Sequence, residues 1–280
     1  MQLIRLRPLL ILLLCSLFFA AATQAQRRIV SLNGTVTEVV CALGFERSLA
    51  GVDVTSTYPA SVQKLPKVGH NRNISAEPVL ALQPDLILAT SNFLAPAVIG
   101  QFNATGVKTL VLQQEYSVEG TKKLIREIAA ALQASEKGEA LCKQLDQQQQ
   151  ALRVIPQAKK VLFIYARGAG TMMVAGQETP LDKIITLAGA KNAASGFKDF
   201  KPLTTEALVA ANPDVILLFD TGLESVGGVT GLLKVPGVPQ TTAGKQQKII
   251  AMDGQLLSGF GPRVIEAVKV LSEKLKESIK

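Results

Sequence analysis

The amino-acid sequence predicts an α/β fold with two similar lobes, and three observations support this prediction. Short apolar segments alternate with amphipathic segments of helical period, which is typical of parallel strands buried between helices. The alternation stops over 118–155, where apolar residues recur at helical spacing alone. The segment 75–89 also recurs in altered form at 204–218. We therefore expect two Rossmann-like lobes, over 26–117 and 156–280, joined by a single long helix and separated by a ligand cleft.

The N-terminal lobe is predicted from four apolar runs and from the helical patterns between them. Val36, Val39 and Val40 share one face of a helix over 35–43, and Gly44 ends that pattern. Each apolar run is short and nearly free of polar residues, so both faces of each strand are expected to be buried. These strands are predicted at 27–32, 49–53, 86–89 and 109–112.

The helical stretch over 118–155 is predicted to hold two helices, because Ser135 and Glu136 form a helix-start signal in its middle. A helix from 135 to 154 would extend roughly 30 Å at about 1.5 Å per residue, which is long for a simple crossover between strands. The α/β alternation then resumes in the C-terminal lobe. Strands are predicted at 160–165, 215–219 and 248–251, and helices at 180–188 and 264–279.

The repeated segment reads SAEPVLALQPDLILA over 75–89 and TTEALVAANPDVILL over 204–218, at a constant offset of 129 residues. Both copies place a glutamate third and a Pro-Asp pair before an apolar run. A short helix that ends before the proline, an aspartate at the turn and a buried strand would explain this pattern. Its equivalent placement in both halves supports two similar lobes.

The first 25 residues are predicted to form a secretory signal peptide, outside the fold. Arg5 and Arg7 precede an apolar run over 9–22, and small residues precede a cleavage site before Gln26. The apolar run is too short to cross a bilayer comfortably. We therefore expect a soluble exported protein that begins at Gln26.

Composition argues against several classes of function. Loss of the two signal-peptide arginines lowers the formal net charge from +8 to +6, a mildly basic balance that suits an anionic ligand. The sequence has no block of like charge and no zinc-type cysteine spacing, so nucleic-acid binding is not expected. A single histidine excludes a histidine-rich metal cluster. The sequence also lacks a G-x-S-x-G motif, a Walker motif and a dinucleotide-binding motif. We therefore expect a binding protein without enzyme activity.

The chain resembles the substrate-binding proteins of bacterial ABC importers for haem, siderophores and cobalamin. The features that carry this resemblance are the two predicted lobes, the linking helix, the export signal and the repeated element E-x-x-(L/V)-A-x-x-P-D-(L/V)-I-L. Within that class it resembles the periplasmic haem-binding proteins. The stretches that carry this resemblance are GVDVTSTYP (51–59), LPKVGHNRNISAE (65–77), VAGQETPLDKIITLAGAKN (174–192) and GFGPR (259–263).

The resemblance implies a monomeric periplasmic protein that captures haem and delivers it to an inner-membrane ABC permease with its ATPase, for haem and iron uptake. Cobalamin and ferric siderophores are the alternative ligands within the same importer class. Siderophore sites need several basic or aromatic groups, and the chain has no Trp and only three Tyr. Cobalamin needs no iron ligand from the protein.

The resemblance implies an iron ligand at His70, where relatives usually carry the tyrosine of a V-G-Y-x-R pattern. An imidazole nitrogen is a common axial ligand of haem iron. Protonation competes with iron for that nitrogen, so we expect such a site to lose haem more readily in acid. Tyr58 is the alternative donor in this lobe. Without the resemblance, His70 would be an ordinary loop histidine and Tyr58 a tyrosine of a wall or core.

Three arginines are predicted to bind the haem propionates or to support the ligand, since guanidinium pairs with carboxylate in bidentate fashion. Arg72 keeps its place in the family pattern, and Arg167 stands where the family often has a histidine ligand. Arg263 lies in GFGPR, where a role at a helix start is equally consistent with the sequence. Arg72 and Arg167 also suit ordinary surface positions.

Glu77 and Glu206 occupy equivalent positions in the repeat, in the predicted first turn of a helix, where a carboxylate interacts favourably with the helix dipole. The resemblance adds a second role, in which one surface glutamate per lobe contacts an arginine of the permease. Cys41 and Cys142 remain after removal of the signal peptide. An exported protein permits a disulfide between them, but their apolar helical surroundings favour two buried free thiols.

Overall fold

The computed structural model describes residues 27–168 and 170–278, so the predicted signal peptide, 1–25, lies outside the described residues. The N-terminal lobe follows the predicted alternation of strands and helices. In chain order its elements are β1 (Ile29–Ser31), α1 (Gly34–Ala42), β2 (Leu49–Val52), β3 (Gly69–His70), β4 (Asn73–Ile74), α2 (Ala76–Leu80), β5 (Leu86–Thr90), α3 (Pro96–Ala104) and β6 (Lys108–Leu112).

Four of these strands form a parallel sheet with the order β2-β1-β5-β6. Ile29 of β1 pairs with Leu49 on one side and with Leu86 on the other, and all three side chains are buried. The near-continuous apolar runs are thus explained by strands covered on both faces. Because the strands are parallel, their carboxyl ends all lie at one edge of the sheet, where ligands bind in this architecture.

Two helices connect the lobes, α4 (Val118–Ala131) and α5 (Ser135–Ala151). The predicted division at Ser135 is confirmed, and α5 ends three residues before the predicted position. At 17 residues α5 is about 26 Å long. It packs closely on α4, because a Cβ at Gly138 would lie 2.6 Å from the Cβ of Ala129.

The C-terminal lobe contains a mixed sheet with the order β10-β8-β7-β11-β12, and β9 also pairs with β7. The strands β7, β9, β11 and β12 are parallel, whereas β8 and β10 add antiparallel pairs at one edge. The elements are β7 (Lys160–Ala166), β8 (Met172–Ala175), α6 (Pro180–Leu187), β9 (Lys191–Asn192), β10 (Phe200–Pro202), α7 (Thr205–Ala211), β11 (Val215–Phe219), α8 (Asp220–Ser225), α9 (Gly228–Leu232), α10 (Thr242–Lys245), β12 (Ile249–Met252), α11 (Gly254–Ser258) and α12 (Val264–Glu277).

The sequence repeat corresponds to the same local structure in both lobes. Asp85 accepts a hydrogen bond from the amide of Arg28 at 2.8 Å, and Asp214 accepts one from the amide of Lys160 at 2.8 Å. The side chain of Arg28 in turn donates to the carbonyl of Leu82 at 2.7 Å, at the end of the short helix. In the second lobe the side chain of Lys160 donates to the carbonyl of Ala211, at the end of α7, at 2.9 Å. The Pro-Asp turn therefore joins the repeated helix to the start of the neighbouring strand.

One hydrophobic cluster extends across both lobes. It includes Ile29 and Val36 of the N-terminal lobe, Ile125 of α4, and Phe163 and Leu271 of the C-terminal lobe. The two sheets are thus joined by shared apolar packing as well as by the connecting helices. Within 27–168 and 170–278, no helix is both long enough and apolar enough to cross a membrane.

The two described cysteines are free thiols, as expected, but Cys41 is only partly buried. Cys142 is fully buried, and its Sγ lies 3.6 Å from the carbonyl oxygen of Lys122. Burial, with added repulsion from Glu46 and Glu38, raises the pKa of the Cys41 thiol to about 12. Cys41 therefore stays protonated at neutral pH and has little nucleophilic character.

Candidate ligand site between the lobes

The candidate site lies where the loops after β1, β2 and β6 meet the segment that follows β12. Thr35 donates to the carbonyl of Gly259 at 2.6 Å, and Gln114 donates to the same oxygen at 2.6 Å. Thr121 of α4 donates to the carbonyl of Phe260 at 2.8 Å. These hydrogen bonds bring the carboxyl edges of the two sheets together, so the lobes face each other across the edges where α/β sheets bind ligands.

Gln255 joins the lobes through both ends of its side-chain amide. Its Oε1 accepts hydrogen bonds from the amide and hydroxyl of Thr57, at 2.8 and 2.9 Å, and from the amide of Tyr58 at 3.0 Å. Its Nε2 donates to the carbonyl of Gly34 at 2.9 Å and to Glu38 at 3.2 Å. One C-terminal side chain thus fixes the loop after β2 and the start of α1.

Arg263 and Glu38 form a second connection between the lobes. The Nε and Nη2 atoms of Arg263 donate to the two carboxylate oxygens of Glu38 at 3.1 and 2.9 Å, and its backbone amide donates at 3.2 Å. The exposed fractions of the two side chains are 17% and 5%. Burial lowers the pKa of the guanidinium, but the hydrogen bonds and charge of Glu38 outweigh burial, so its pKa lies above the ordinary value.

Tyr58 lies directly on this ion pair. The Cζ atom of Arg263 is 3.5 Å from the centroid of the Tyr58 ring, which is close contact for a guanidinium on an aromatic face. Tyr58 nevertheless remains 43% exposed. Arg263 lies directly before α12, at the helix start that its sequence context allowed.

His70 lies on a two-stranded hairpin that the sequence analysis did not predict. It pairs with Asn73 across β3 and β4, and the hairpin is attached to the lobe by the amide of Val54, which donates to Gly69 at 2.9 Å. The amide of Arg72 donates to His70 Nδ1 at 3.2 Å. A backbone amide can only donate, so this hydrogen bond suits the tautomer of the neutral imidazole whose ring proton resides on Nε2.

This tautomer has a consequence for the iron binding predicted at His70. Coordination through Nε2 requires the proton to move to Nδ1 and the hydrogen bond from Arg72 to break. The net loss is on the order of 1 kcal/mol for a neutral hydrogen bond. That cost is small, so the hydrogen bond from Arg72 does not conflict with the predicted role of the half-buried imidazole as an iron ligand.

The other two predicted arginines lie on opposite lobes, each over an aromatic ring. The Cζ atom of Arg72 is 4.9 Å from the Phe93 centroid, and that of Arg167 is 5.9 Å from the Tyr165 centroid. Both arginines are exposed. Arg167 follows β7 directly, at the start of the β7–β8 hairpin loop, where its amide donates to Thr171 at 2.9 Å. The two guanidinium groups are thus accessible to anionic groups of a ligand.

The structure places Glu77 and Glu206 in the first turns of α2 and α7, and both are exposed. Thr204 caps the second helix by accepting a hydrogen bond from the amide of Ala207 at 3.2 Å. Ser75 makes no such capping hydrogen bond in the first lobe, but both carboxylates are exposed in the first turn of a helix, as the repeat predicts.

Comparison with known proteins assigns the chain to a family. The family described as periplasmic binding protein matches residues 29–256. The chain belongs to this periplasmic binding protein family. As a periplasmic binding protein it is a substrate-binding component and not an enzyme, and it acts outside the cytoplasm. The expected two-lobed α/β fold is confirmed.

Several periplasmic binding proteins of known structure are similar to the chain over most of its length. The periplasmic heme-binding protein RhuT from Roseiflexus sp. RS-1, in apo form, is 40% identical with a TM-score of 0.88, covering 91% of this chain and 100% of that one. The heme-binding protein BhuT in complex with two hemes is 39% identical with a TM-score of 0.86, covering 91% and 99%. HutB of Vibrio cholerae, also a heme-binding protein, is 33% identical with a TM-score of 0.79, covering 90% and 99%.

Curated relatives extend the comparison to other binding proteins. The uncharacterized ABC transporter substrate-binding lipoprotein YvrC of Bacillus subtilis is 30% identical over 256 residues, covering 89% of this chain and 80% of the relative. The vitamin B12-binding protein of Salmonella typhi is 25% identical over 261 residues, covering 90% and 91%.

Proposed function

We propose that this periplasmic binding protein captures haem and delivers it to an ABC importer. The observation that carries the proposal is its similarity, at 40% identity over 91% of the chain, to a heme-binding protein of the same fold. The accessible arginines on both lobes and the half-buried histidine of the N-terminal lobe support it. In this function haem is the transported ligand and no resident cofactor is needed.

We assign the iron and propionate contacts to residues of both lobes. His70 would supply the axial nitrogen ligand, with the hydroxyl of Tyr58 as the alternative donor. Arg72 and Arg167 would pair with propionates from opposite sides of the cleft, because each presents an exposed guanidinium that suits a carboxylate. The guanidinium of Arg263 already pairs with Glu38 and is less available for a propionate.

Cobalamin is the second candidate ligand, and the similarity to vitamin B12-binding proteins favours it. The competing observation is the lower identity of those relatives, 25% compared with 40% for a heme-binding structure. A cobalamin site would also leave His70 and the two exposed arginines without a defined role. Haem is therefore the better-supported ligand.

A titration of purified residues 26–280 with haemin tests the proposed ligand. We expect a saturable shift of the Soret band with a defined stoichiometry, unaffected by excess cyanocobalamin. Bound cyanocobalamin would be detected by calorimetry as the matched control. Saturable binding of cyanocobalamin without a Soret response to haemin would reject haem in favour of cobalamin.

We also propose that the mature protein begins at Gln26, acts as a periplasmic monomer, and contacts an inner-membrane permease with its ATPase through Glu77 and Glu206. One exposed carboxylate per lobe, at the equivalent position of the repeat, suits a permease of two-fold symmetry. Like the two docking candidates, Glu136 is an exposed glutamate in the first turn of a helix, but it lies on α5 outside the repeat.

The Glu77→Ala/Glu206→Ala double variant is expected to keep the haemin affinity of the wild type and to lower haem uptake into vesicles that contain the cognate importer at least tenfold. The reason is that each lobe would lose its charged contact with the permease. Glu136→Ala serves as the matched control and should transport at the wild-type rate. Undiminished uptake by the double variant would remove these glutamates from the docking surface.

A further inference from the structure

We propose that Tyr58 is an aromatic platform on which the macrocycle of the bound tetrapyrrole stacks, and that Arg263, held by Glu38, positions its ring. This inference rests on the proposed haem-binding function and adds to it one ligand contact and one positioning residue. Tyr58 would contact the flat face of the ligand. Arg263 would act through Tyr58 and not by binding a propionate.

One face of the Tyr58 ring is already occupied within the protein. The guanidinium of Arg263 stacks on it at 3.5 Å, closer than the 4.9 and 5.9 Å of Arg72 and Arg167 over their own aromatic rings. The same guanidinium is oriented by two hydrogen bonds to the buried carboxylate of Glu38. The plane of the tyrosine is thus set by a rigid pair beneath it, while 43% of the residue remains exposed.

The backbone of Tyr58 is fixed as well. Gln255 accepts hydrogen bonds from its amide at 3.0 Å and from the amide of Thr57 at 2.8 Å. Two side chains of the C-terminal lobe, Gln255 and Arg263, therefore hold a tyrosine of the N-terminal lobe at the junction of the two sheet edges. A ring that is ordered before the ligand arrives loses little conformational entropy on binding, which favours affinity.

The charge around the Tyr58–Arg263 stack favours contact with a flat apolar part of a ligand over contact with an anionic group. Glu38 offsets the charge of Arg263, so the stack offers little net attraction for a propionate. Aromatic faces do stack on planar π-systems. With no Trp and three Tyr in the chain, an exposed and supported tyrosine is a scarce surface of this kind.

Two probes separate stacking from iron coordination: haemin, and protoporphyrin IX without iron. Tyr58→Leu is expected to weaken both at least tenfold, because the stacking surface is lost whether or not iron is present. Tyr58→Phe keeps the ring and is expected to bind both at least tenfold more tightly than Tyr58→Leu. If the variants lose affinity for haemin alone, and the Soret band moves in Tyr58→Phe, Tyr58 is an iron ligand and the stacking proposal is wrong. Wild-type affinity in Tyr58→Leu would overturn it as well.

A double-mutant cycle tests the positioning role of Arg263. Arg263→Lys keeps the positive charge but removes the planar group that stacks and forms two hydrogen bonds. We expect it to weaken protoporphyrin IX binding about fivefold in the wild type and to have no further effect in the Tyr58→Leu background. Equal effects in both backgrounds would show that Arg263 acts independently of Tyr58. If the wild type binds neither probe, the proposed haem function fails, whereas binding without these effects rejects this inference alone.

Discussion

Replacement of His70 by alanine is expected to lower the haemin affinity at least about a hundredfold, since loss of even a residue that only supports a metal ligand costs about 10–100-fold. The Soret band of any residual complex should move, because the axial nitrogen is gone. His70→Ala should leave the affinity for protoporphyrin IX without iron unchanged. Absorbance titrations with both probes measure the two effects.

The control for His70 is its partner across the hairpin. Asn73 pairs with His70 and is exposed, so Asn73→Ala perturbs the same two strands without removing a candidate ligand. It is expected to bind haemin with the wild-type spectrum. An unchanged spectrum in His70→Ala would exclude the imidazole as ligand and leave the hydroxyl of Tyr58 as the candidate donor.

His70→Tyr restores the residue usual at this position in the haem-binding proteins that the sequence resembles. It is expected to bind haemin with a tyrosine-type spectrum. Absorbance spectra of the two haemin complexes measure this difference. Identical Soret bands for His70→Tyr and the wild type would exclude residue 70 as the axial ligand.

Most of the fold could be predicted because its signals are local or repeated. Buried parallel strands are short apolar runs, and the boundaries of β11, predicted at 215–219, are confirmed. The repeat was also informative, since Asp85 and Asp214 make equivalent hydrogen bonds to the neighbouring strands. The strands that were not predicted are short or antiparallel. The hairpin of β3 and β4 has two residues per strand, too few to establish an alternating pattern.

The site was predicted less completely, because its contacts join residues far apart in sequence. Arg263 and Glu38 are separated by 225 positions, and Gln255 and Tyr58 by 197. Glu38 did carry a local signal, since it lies among the valines of α1, where a buried carboxylate needs a partner. Gln255 carried none, because a glutamine in a short helix suits solvent as well as an interface. Its role follows only from the approach of the two lobes.

Glu38→Ala is expected to be the most destabilising single substitution discussed, with a loss of about 3–5 kcal/mol in the free energy of unfolding. That is the cost usually observed when one partner of a buried ion pair is removed and the other charge stays buried. Here the remaining charge is Arg263, whose side chain is 17% exposed. Urea denaturation monitored by circular dichroism measures the change as a lower midpoint.

Two further variants distinguish the free-energy cost of leaving Arg263 unpaired from the stabilisation that the Glu38–Arg263 contact provides between the lobes. Glu139→Ala removes the partner of Arg126 in an exposed pair and should change the urea midpoint little, because solvent screens that pair. Glu38→Met combined with Arg263→Met removes both buried charges and fills the same space with apolar atoms. We expect it to recover much of the stability lost in Glu38→Ala. If Glu38→Ala and this double variant had equal urea midpoints, the unpaired arginine would not be the cause of the lost stability. The attraction between Glu38 and Arg263 would then itself stabilise the junction of the lobes.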